Sequence, residues 1–214
     1  MAQLCDHGQR ICVTWQKRIF DLGFAICLTV ILGPVLIGLL IWLWRVQGGP
    51  LFYISERMRA PGHPFGLLKL RTMTVAKHDA GVSGGHKRAR ITPAGRWLRA
   101  RRLDELPQLW NILKGDLSFV GPRPPLREYV EKCPALYTQV LKNRPGVTGL
   151  ASLVYCKHEH RLLARCRTAG ETDRVYTNAC IPRKARLDLI YQRHSNLCFD
   201  VLLIIATIRQ VFWR

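Results

Sequence analysis

The longest feature in the hydrophobic pattern is an uncharged run of 23 residues from Leu22 to Trp44. At about 1.5 Å per helical residue it is long enough to cross a hydrocarbon core. It is too long for a cleavable signal and no small-x-small site follows it. Gly33-Pro34 stands at its middle, where proline removes a helical hydrogen bond and bends or breaks the helix. Basic residues flank both ends, Arg10, Lys17 and Arg18 before and Arg45, Arg57 and Arg59 after. Positive charge marks the cytoplasmic side, so both ends belong there. A membrane helix over 17–46 that enters, turns at Gly33-Pro34 and returns satisfies both observations. An ordinary kinked transmembrane helix is the alternative. Trp42 and Trp44 are candidate interfacial anchors.

Beyond the run the periods shorten. Leu51 to Ile54 and Phe65 to Leu70 have strand patterns joined by the turn Ala60-Pro61-Gly62-His63-Pro64, which predicts a small hairpin. Residues 77–90, polar and glycine-rich, predict a surface loop. Thr92 and Pro93 have the form of an N-cap and first helical position. Leu106, Leu109, Trp110 and Leu113 recur at i, i+3, i+4, i+7, the pattern of one buried helical face, with Pro107 in the first turn and Gly115 as its stop. Leu126 to Leu141 is helical with a break at Pro134, and Arg144-Pro145-Gly146 is a turn. Residues 157–182 read as a variable helix pair. Arg183 to Arg193 is a basic amphipathic helix through Leu187, Ile190 and Tyr191. Phe199 to Trp213 is apolar for too short a distance to span, and is assigned to the membrane surface or the core beneath it. The fold class is α+β, mainly helical, in three parts: a lead-in (1–16), the re-entrant membrane helix (17–46), and a cytoplasmic catalytic domain with surface helices (47–214).

Charge narrows the partners. With 33 Lys plus Arg against 14 Asp plus Glu, the net charge of +19 calls for nucleic acid, anionic lipid or phosphorylated substrates, without choosing among them. Eight cysteines without a C-x-x-C pattern suit reduced thiols. Cys156, His158, His160 and Cys166 are chemically able to bind zinc. Their spacing matches no common finger, and Lys157, Arg161, Arg165 and Arg167 oppose a cation there.

The densest candidate chemistry is Leu103 to Pro124, LDELPQLWNILKGDLSFVGPRP. Seven Lys or Arg and no acid occupy 87–102, and the adjacent carboxylates Asp104 and Glu105 then precede a helix start. A helix N-terminus and nearby arginines favour ionised carboxylates, suited to nucleophilic attack or metal binding. Arg123, between Pro122 and Pro124, is held on a stiff turn where a guanidinium grips phosphate bidentately. Taken singly, these pieces also suit an N-capping Asp, a solvated Glu and a structural turn. Lys69 and Arg71 also suit a charged strand face.

Together the pieces resemble a family. The run LDELPQLWNILKGDLSFVGPRP, preceded by Pro64-Phe65 and Lys69-Leu70-Arg71-Thr72-Met73 and followed by Arg144-Pro145-Gly146-Val147-Thr148-Gly149, is similar to the bacterial sugar transferases, the monotopic phosphoglycosyl transferases. The resemblance implies transfer of a sugar 1-phosphate from a nucleotide diphosphate sugar, expected to be a UDP-sugar, to polyprenyl (undecaprenyl) phosphate, with release of nucleoside monophosphate. It implies that Asp104 attacks the phosphate next to the sugar, that Glu105 holds Mg²⁺, and that Lys69, Arg71, Arg99 and Arg123 neutralise phosphate charge. Glu56-Arg57 recurs near the phosphates in such enzymes. The site implied is on the cytoplasmic face of a bacterial inner membrane, initiating glycoconjugate or polysaccharide assembly, with membrane lipid and no nucleic acid as partner. Two departures stand out: relatives break the membrane helix at Ser-Pro where this chain has Gly33-Pro34, and their short Gly-Arg element is absent from 150–155. Two rival readings are a membrane-tethered basic protein that binds nucleic acid or anionic lipid, and a membrane phosphatase using Asp104. The first leaves the acid pair and the Pro-Arg-Pro turn unexplained.

Overall fold

A computed structural model describes residues 3–4, 13–75, 82 and 85–212. Most of the expected lead-in and the first part of the expected 77–90 loop lie outside the described residues. Helix α1 (Trp15–Gln47) is a single element of 33 residues, and Thr14 caps it by accepting from the Lys17 amide. The break expected at Gly33-Pro34 is not a loop between two helices. The backbone stays helical through Pro34, because one missing N–H removes one bond and its neighbours keep theirs.

Both ends of α1 are fastened to the same body. At the N-terminal end Arg18 donates to the carbonyls of Ile112 (2.7 Å) and Leu113 (2.9 Å). At the C-terminal end Arg71 donates to the carbonyls of Gln47 (2.8 Å), Gly48 (3.0 Å) and Gly49 (3.2 Å). Ala25 packs with Leu67, Ile112 and Phe119, and Leu39 and Leu43 pack with Leu70, Ala94 and Leu98. Val30, Ile31, Val35 and Ile37 remain exposed apolar surface.

Three two-stranded sheets accompany the helices. The shortest pairs β1 (Gln3–Leu4) with β2 (Val13–Thr14). The expected hairpin is β3 (Phe52–Ala60) against β4 (His63–Leu70), longer in its first strand than the apolar pattern alone indicated, with Gly62 at φ 77° supplying the turn. The third pairs β5 (Ser118–Val120) with β6 (Gly146–Thr148) in parallel, so two motifs distant in sequence lie side by side. Their contact requires glycine: a Cβ on Gly121 would meet the Arg144 carbonyl oxygen at 2.2 Å.

Helices α2 (Pro93–Ala100) and α3 (Gln108–Lys114) fall between these sheets. Gly115 ends α3 at φ 96°. The α3 face inferred from the apolar period is not the buried one. Gln108, Asn111 and Ile112 turn inward, and Trp110 is 63% exposed. Asn111 explains the reversal: it accepts from the Leu68 amide (3.0 Å) and donates to the Gly66 carbonyl (2.8 Å), stitching α3 to β4.

The helix around Pro134 divides as expected into α4 (Arg127–Lys132) and α5 (Pro134–Val140). Then come α6 (Leu150–Ala164), α7 (Ala169–Val175), α8 (Ile181–His194) and α9 (Leu197–Phe212). Between α7 and α8 a π turn, Tyr176–Cys180, lies just before Pro182, with the Ile181 amide bonded five residues back to Tyr176. Proline supplies no donor for the ordinary ladder at that point. Ile190, expected on the buried face of α8, is exposed, and Ala185, Asp188 and Tyr191 face inward. On α9, Asp200 and Leu203 are buried, while Leu202, Ile205 and Ile208 are exposed.

Candidate active site

Three elements deliver the charged side chains to one place. Strand β4 carries Lys69. Helix α2 carries Arg99 and is pressed against the strand exit, since a Cβ at Gly95 would meet the Thr72 carbonyl oxygen at 2.1 Å. Arg99 is fixed there by donating to Thr72 Oγ1 at 2.8 Å. The chain then reverses at Arg102, the only non-glycine residue among those described with positive φ (55°). Such a conformation costs on the order of 1 kcal/mol and recurs at functional sites. It leads into the single 3₁₀ turn Leu103–Glu105, which buries Asp104 and turns Glu105 toward β4.

Glu105 is the hub. Its Oε1 accepts from Lys69 Nζ (3.2 Å) and Arg123 Nη2 (3.0 Å), and its Oε2 faces Arg102 Nη1 at 3.5 Å. Burial alone would raise its pKa, but the charges of Lys69, Arg123 and Arg102 outweigh burial and hold the carboxyl far below the usual range. Asp104 goes the other way. Burial, and then the charge of Glu105, raise its pKa above the ordinary aspartate value, with Lys69 and Arg99 opposing. The helix-terminus argument from sequence, which favoured ionised Asp104, is therefore outweighed by desolvation and a like charge. Burial lowers the Lys69 and Arg57 pKa values.

Lys69, Arg99, Asp104, Glu105 and Arg123 thus converge, and Pro122 and Pro124 are buried beneath Arg123. Arg57 joins them, donating to the Pro124 carbonyl at 3.3 Å. Arg71 does not: its Nη donors are engaged by the carbonyls of Gln47, Gly48 and Gly49 at the C-terminal end of α1. Glu56 pairs with Arg127 at the surface, 2.7 Å apart. Arg102 also belongs to the cluster; its i, i+3 spacing to Glu105 was the signal available in the sequence. Cys156, His158, His160 and Cys166 do not assemble, and no group of three metal-ligating side chains occurs among the described residues.

Next to the cluster opens an apolar groove of about 240 Å³. Leu106, Pro107, Leu109, Trp110 and Leu113 form one wall, Phe52 and Leu68 contribute from the hairpin, and Thr29, Leu32, Gly33 and Leu36 of α1 complete it. The periodic apolar face of α3 therefore lines a groove shared with the long apolar helix α1. Of the presumed break, Gly33 is in this lining.

The family model described as bacterial sugar transferase matches residues 12–214. A UDP-glucose:undecaprenyl-phosphate glucose-1-phosphate transferase of Caulobacter vibrioides is 36% identical over 175 residues, covering 78% of this chain and 65% of that protein. A transferase of the same description from Klebsiella pneumoniae is 30% identical over 200 residues, 92% of this chain and 40% of its own length. A UDP-N-acetylgalactosamine-undecaprenyl-phosphate N-acetylgalactosaminephosphotransferase of Aeromonas hydrophila is 27% identical, covering 91% of this chain and 43% of its own. The chain thus spans less than two thirds of the length of these relatives.

Proposed function

The chain belongs to the bacterial sugar transferases, and from that premise we propose that it moves a sugar 1-phosphate from a UDP-sugar to polyprenyl phosphate, releasing UMP. The observation that carries this reading is the adjacency of two unlike surfaces. A cluster rich in Lys and Arg suits a diphosphate, and an apolar groove built partly from a membrane helix suits a prenyl chain. Leu106 and Pro107 of the groove directly follow Glu105, so a lipid phosphate whose tail lies in the groove has its head at the acid pair.

In this reading an Asp104 carboxylate oxygen attacks the phosphorus that bears the sugar. The bond to the bridging oxygen breaks and UMP leaves with that oxygen. A lipid phosphate oxygen then attacks the same phosphorus, restoring the carboxylate and yielding the polyprenyl diphosphate sugar. Arg123, Lys69 and Arg102, which hold Glu105, are placed to share incoming phosphate charge; Arg99 and Lys69 favour the ionised, nucleophilic form of Asp104. The donor set also fits Mg²⁺, a hard cation commonly held by one or two carboxylates plus substrate phosphates. Glu105 would hold it through Oε2, whose one contact among the described residues is the long one to Arg102. When bound, the ion supplies charge neutralisation on the diphosphate.

The attachment of both α1 ends to adjacent elements supports the re-entrant reading. Arg18 meets α3, Arg71 follows β4, and α3 and β4 are stitched by Asn111. A crossing helix would put those ends on opposite sides of roughly 30 Å of hydrocarbon. The site then faces the cytoplasm of a bacterial inner membrane. Cysteines introduced at Gly8 and His63 should both be shielded from an impermeant reagent added outside; labelling of either one defeats this topology.

The decisive assay supplies radiolabelled UDP-sugar and undecaprenyl phosphate to the reconstituted protein. Label should enter the organic phase and UMP should appear. UMP together with free sugar phosphate, and no labelled lipid, would instead point to a phosphatase. No turnover of any donor would leave the basic tether.

A further inference from the structure

Three segments meet where α1 ends. Arg71, at the exit of β4, donates to the carbonyls of Gln47, Gly48 and Gly49, and Gln47, the last residue of α1, returns the contact by donating from Nε2 to the Arg71 carbonyl at 2.9 Å. Gln47 Oε1 accepts from the Thr92 hydroxyl at 3.3 Å, and that same hydroxyl caps α2 by accepting from the Gly95 amide at 2.9 Å. The Thr92 amide in turn donates to the Thr72 carbonyl at 3.1 Å. One glutamine side chain thus ties the end of α1 to the strand exit and to the first turn of α2. A single apolar cluster accompanies the junction: Leu39 and Leu43 of α1, Leu70 of β4, and Ala94 and Leu98 of α2, with Leu103 and Leu106, the two leucines that flank the acid pair, packed against it.

Arg99 leaves this frame from the last turn of α2. Its carbonyl accepts from the Arg102 amide at 3.2 Å, and the helix packs on the 3₁₀ turn that bears Asp104 and Glu105. Its Nε donates to the hydroxyl of Thr72, a residue 5% exposed, at 2.8 Å. Among the described residues this is the one hydrogen bond of the guanidinium. A guanidinium carries its donors as a rigid planar fork, so holding Nε fixes the direction of the two Nη groups, which remain for an anion. We propose that Thr72 and Gln47 are positioning residues for sugar-phosphate transfer: Thr72 aims the Nη fork of Arg99 at a substrate phosphate, and Gln47 fixes Thr72 and α2 on the end of α1. This deepens the transferase reading and rests on it. Arg71, for which the family resemblance implies contact with phosphate, serves the same frame through backbone carbonyls. Threonine suits the task because its branched Cβ restricts χ1 and so holds the hydroxyl in place. Displacing a substrate-positioning group by about 1 Å costs on the order of a hundredfold in rate.

The experiment measures kcat/KM per folded molecule of the reconstituted protein on its preferred UDP-sugar, for wild type, Thr72→Val, Thr72→Ser, Gln47→Leu and Arg99→Leu, and for Thr72→Val and Gln47→Leu each combined with Arg99→Leu. Losing a hydrogen bond to a charged group is worth roughly tenfold to a hundredfold, so Thr72→Val should lower kcat/KM by that much, while Thr72→Ser, which keeps the acceptor, should stay within about threefold of wild type. Gln47→Leu should give a smaller fall, since it acts one contact further away. In the Arg99→Leu background neither substitution should lower kcat/KM further, because both act through Arg99; a purely structural role would lower it by the same factor in either background. Equal falls in both backgrounds, a Thr72→Ser protein as slow as Thr72→Val, or single variants as fast as wild type would each overturn the assignment and leave the junction as a packing contact. Failure of the wild type itself to turn over any of a wider panel of UDP-sugars would reject the transferase reading instead, so the two failures are distinguishable.

Discussion

The buried Asp200 and the part-buried Glu105 are both carboxylates held by lysine, and they do opposite things. Asp200, on α9, is 1% exposed, accepts from Lys17 at the base of the membrane helix, and accepts again from Tyr191 Oη at 2.5 Å. Two acids, Asp200 and the buried Asp21, face one cation and one neutral hydroxyl, so no positive charge is left over. Glu105 is surrounded by Lys69, Arg102 and Arg123, with Arg57 and Arg99 close by and only Asp104 as a second acid. There the cations outnumber the anions, and an apolar groove begins at Leu106, the residue that follows Glu105. A balanced buried pair has little attraction left for a further ion; a cluster with surplus cations attracts phosphate. The first is a latch between α1 and α9. The second is the candidate site.

Substitution at the site should have the larger effect on chemistry and the smaller one on stability. Asp104→Asn removes the proposed nucleophile and should lower turnover by at least about 10⁴-fold. Donor binding should persist in equilibrium measurements, and mass spectrometry of protein quenched with donor alone should show a sugar-phosphate adduct on wild type and none on the variant. The thermal midpoint at neutral pH should not fall, because burial disfavours the ionised Asp104 and an amide relieves that cost. An adduct on the Asn variant, or intersecting rather than parallel kinetics in wild type, would remove Asp104 from covalent catalysis.

The latch should invert that profile. Asp200→Asn removes the buried carboxylate that holds the part-buried Lys17 ammonium, and breaking a buried pair costs about 3–5 kcal/mol, or on the order of 10 °C in a domain of this size. Activity per folded molecule should stay near wild type. The double substitution Lys17→Met/Asp200→Leu should recover most of the midpoint, since removing both charges also removes the desolvation cost. A loss of kcat in the double variant at restored stability would mean that the latch is coupled to the chemistry and the two regions are not separable.

The two regions also differ in how far the sequence reveals them. The site was legible because its residues are close in sequence or tied to glycine and proline signals: Asp104 with Glu105, Arg123 between Pro122 and Pro124, and the paired turns at Gly121 and Gly146. The latch was not, because Lys17 and Asp200 stand 183 positions apart and neither lies in a pattern that indicates its partner. The helix of Leu106, Leu109, Trp110 and Leu113 was recognised by its period but given the wrong partner. Periodicity reports that a face is apolar, and a groove shared with a membrane helix satisfies it as well as a core does. Arg71 failed for a related reason. Its position on a charged strand end fits phosphate or the carbonyls that close a helix, and only the folded chain brings α1 to it.

A subtler difference lies in titration, where the site should be tunable from within. Asp104 must be ionised to attack, so kcat/KM should rise with pH through its pKa, which burial and Glu105 raise above the ordinary 3.8. Glu105→Gln removes the like charge and should move this acid limb to lower pH even as the rate falls. Arg99→Leu removes a favourable charge and should move it to higher pH. The stability contributions of the two acids have opposite signs. Asp104 is favoured in its protonated form, so its contribution is present at low pH and lost as pH rises through its folded value. Glu105 is held below its ordinary 4.5, so its contribution is present above that value and lost as pH falls through its folded value. Infrared titration of the Asp104 carboxyl in the absence of substrate separates the group from the kinetics. If its midpoint does not move in opposite directions in the two variants, the acids are not coupled and the cluster is several independent pairs, each as closed as the latch.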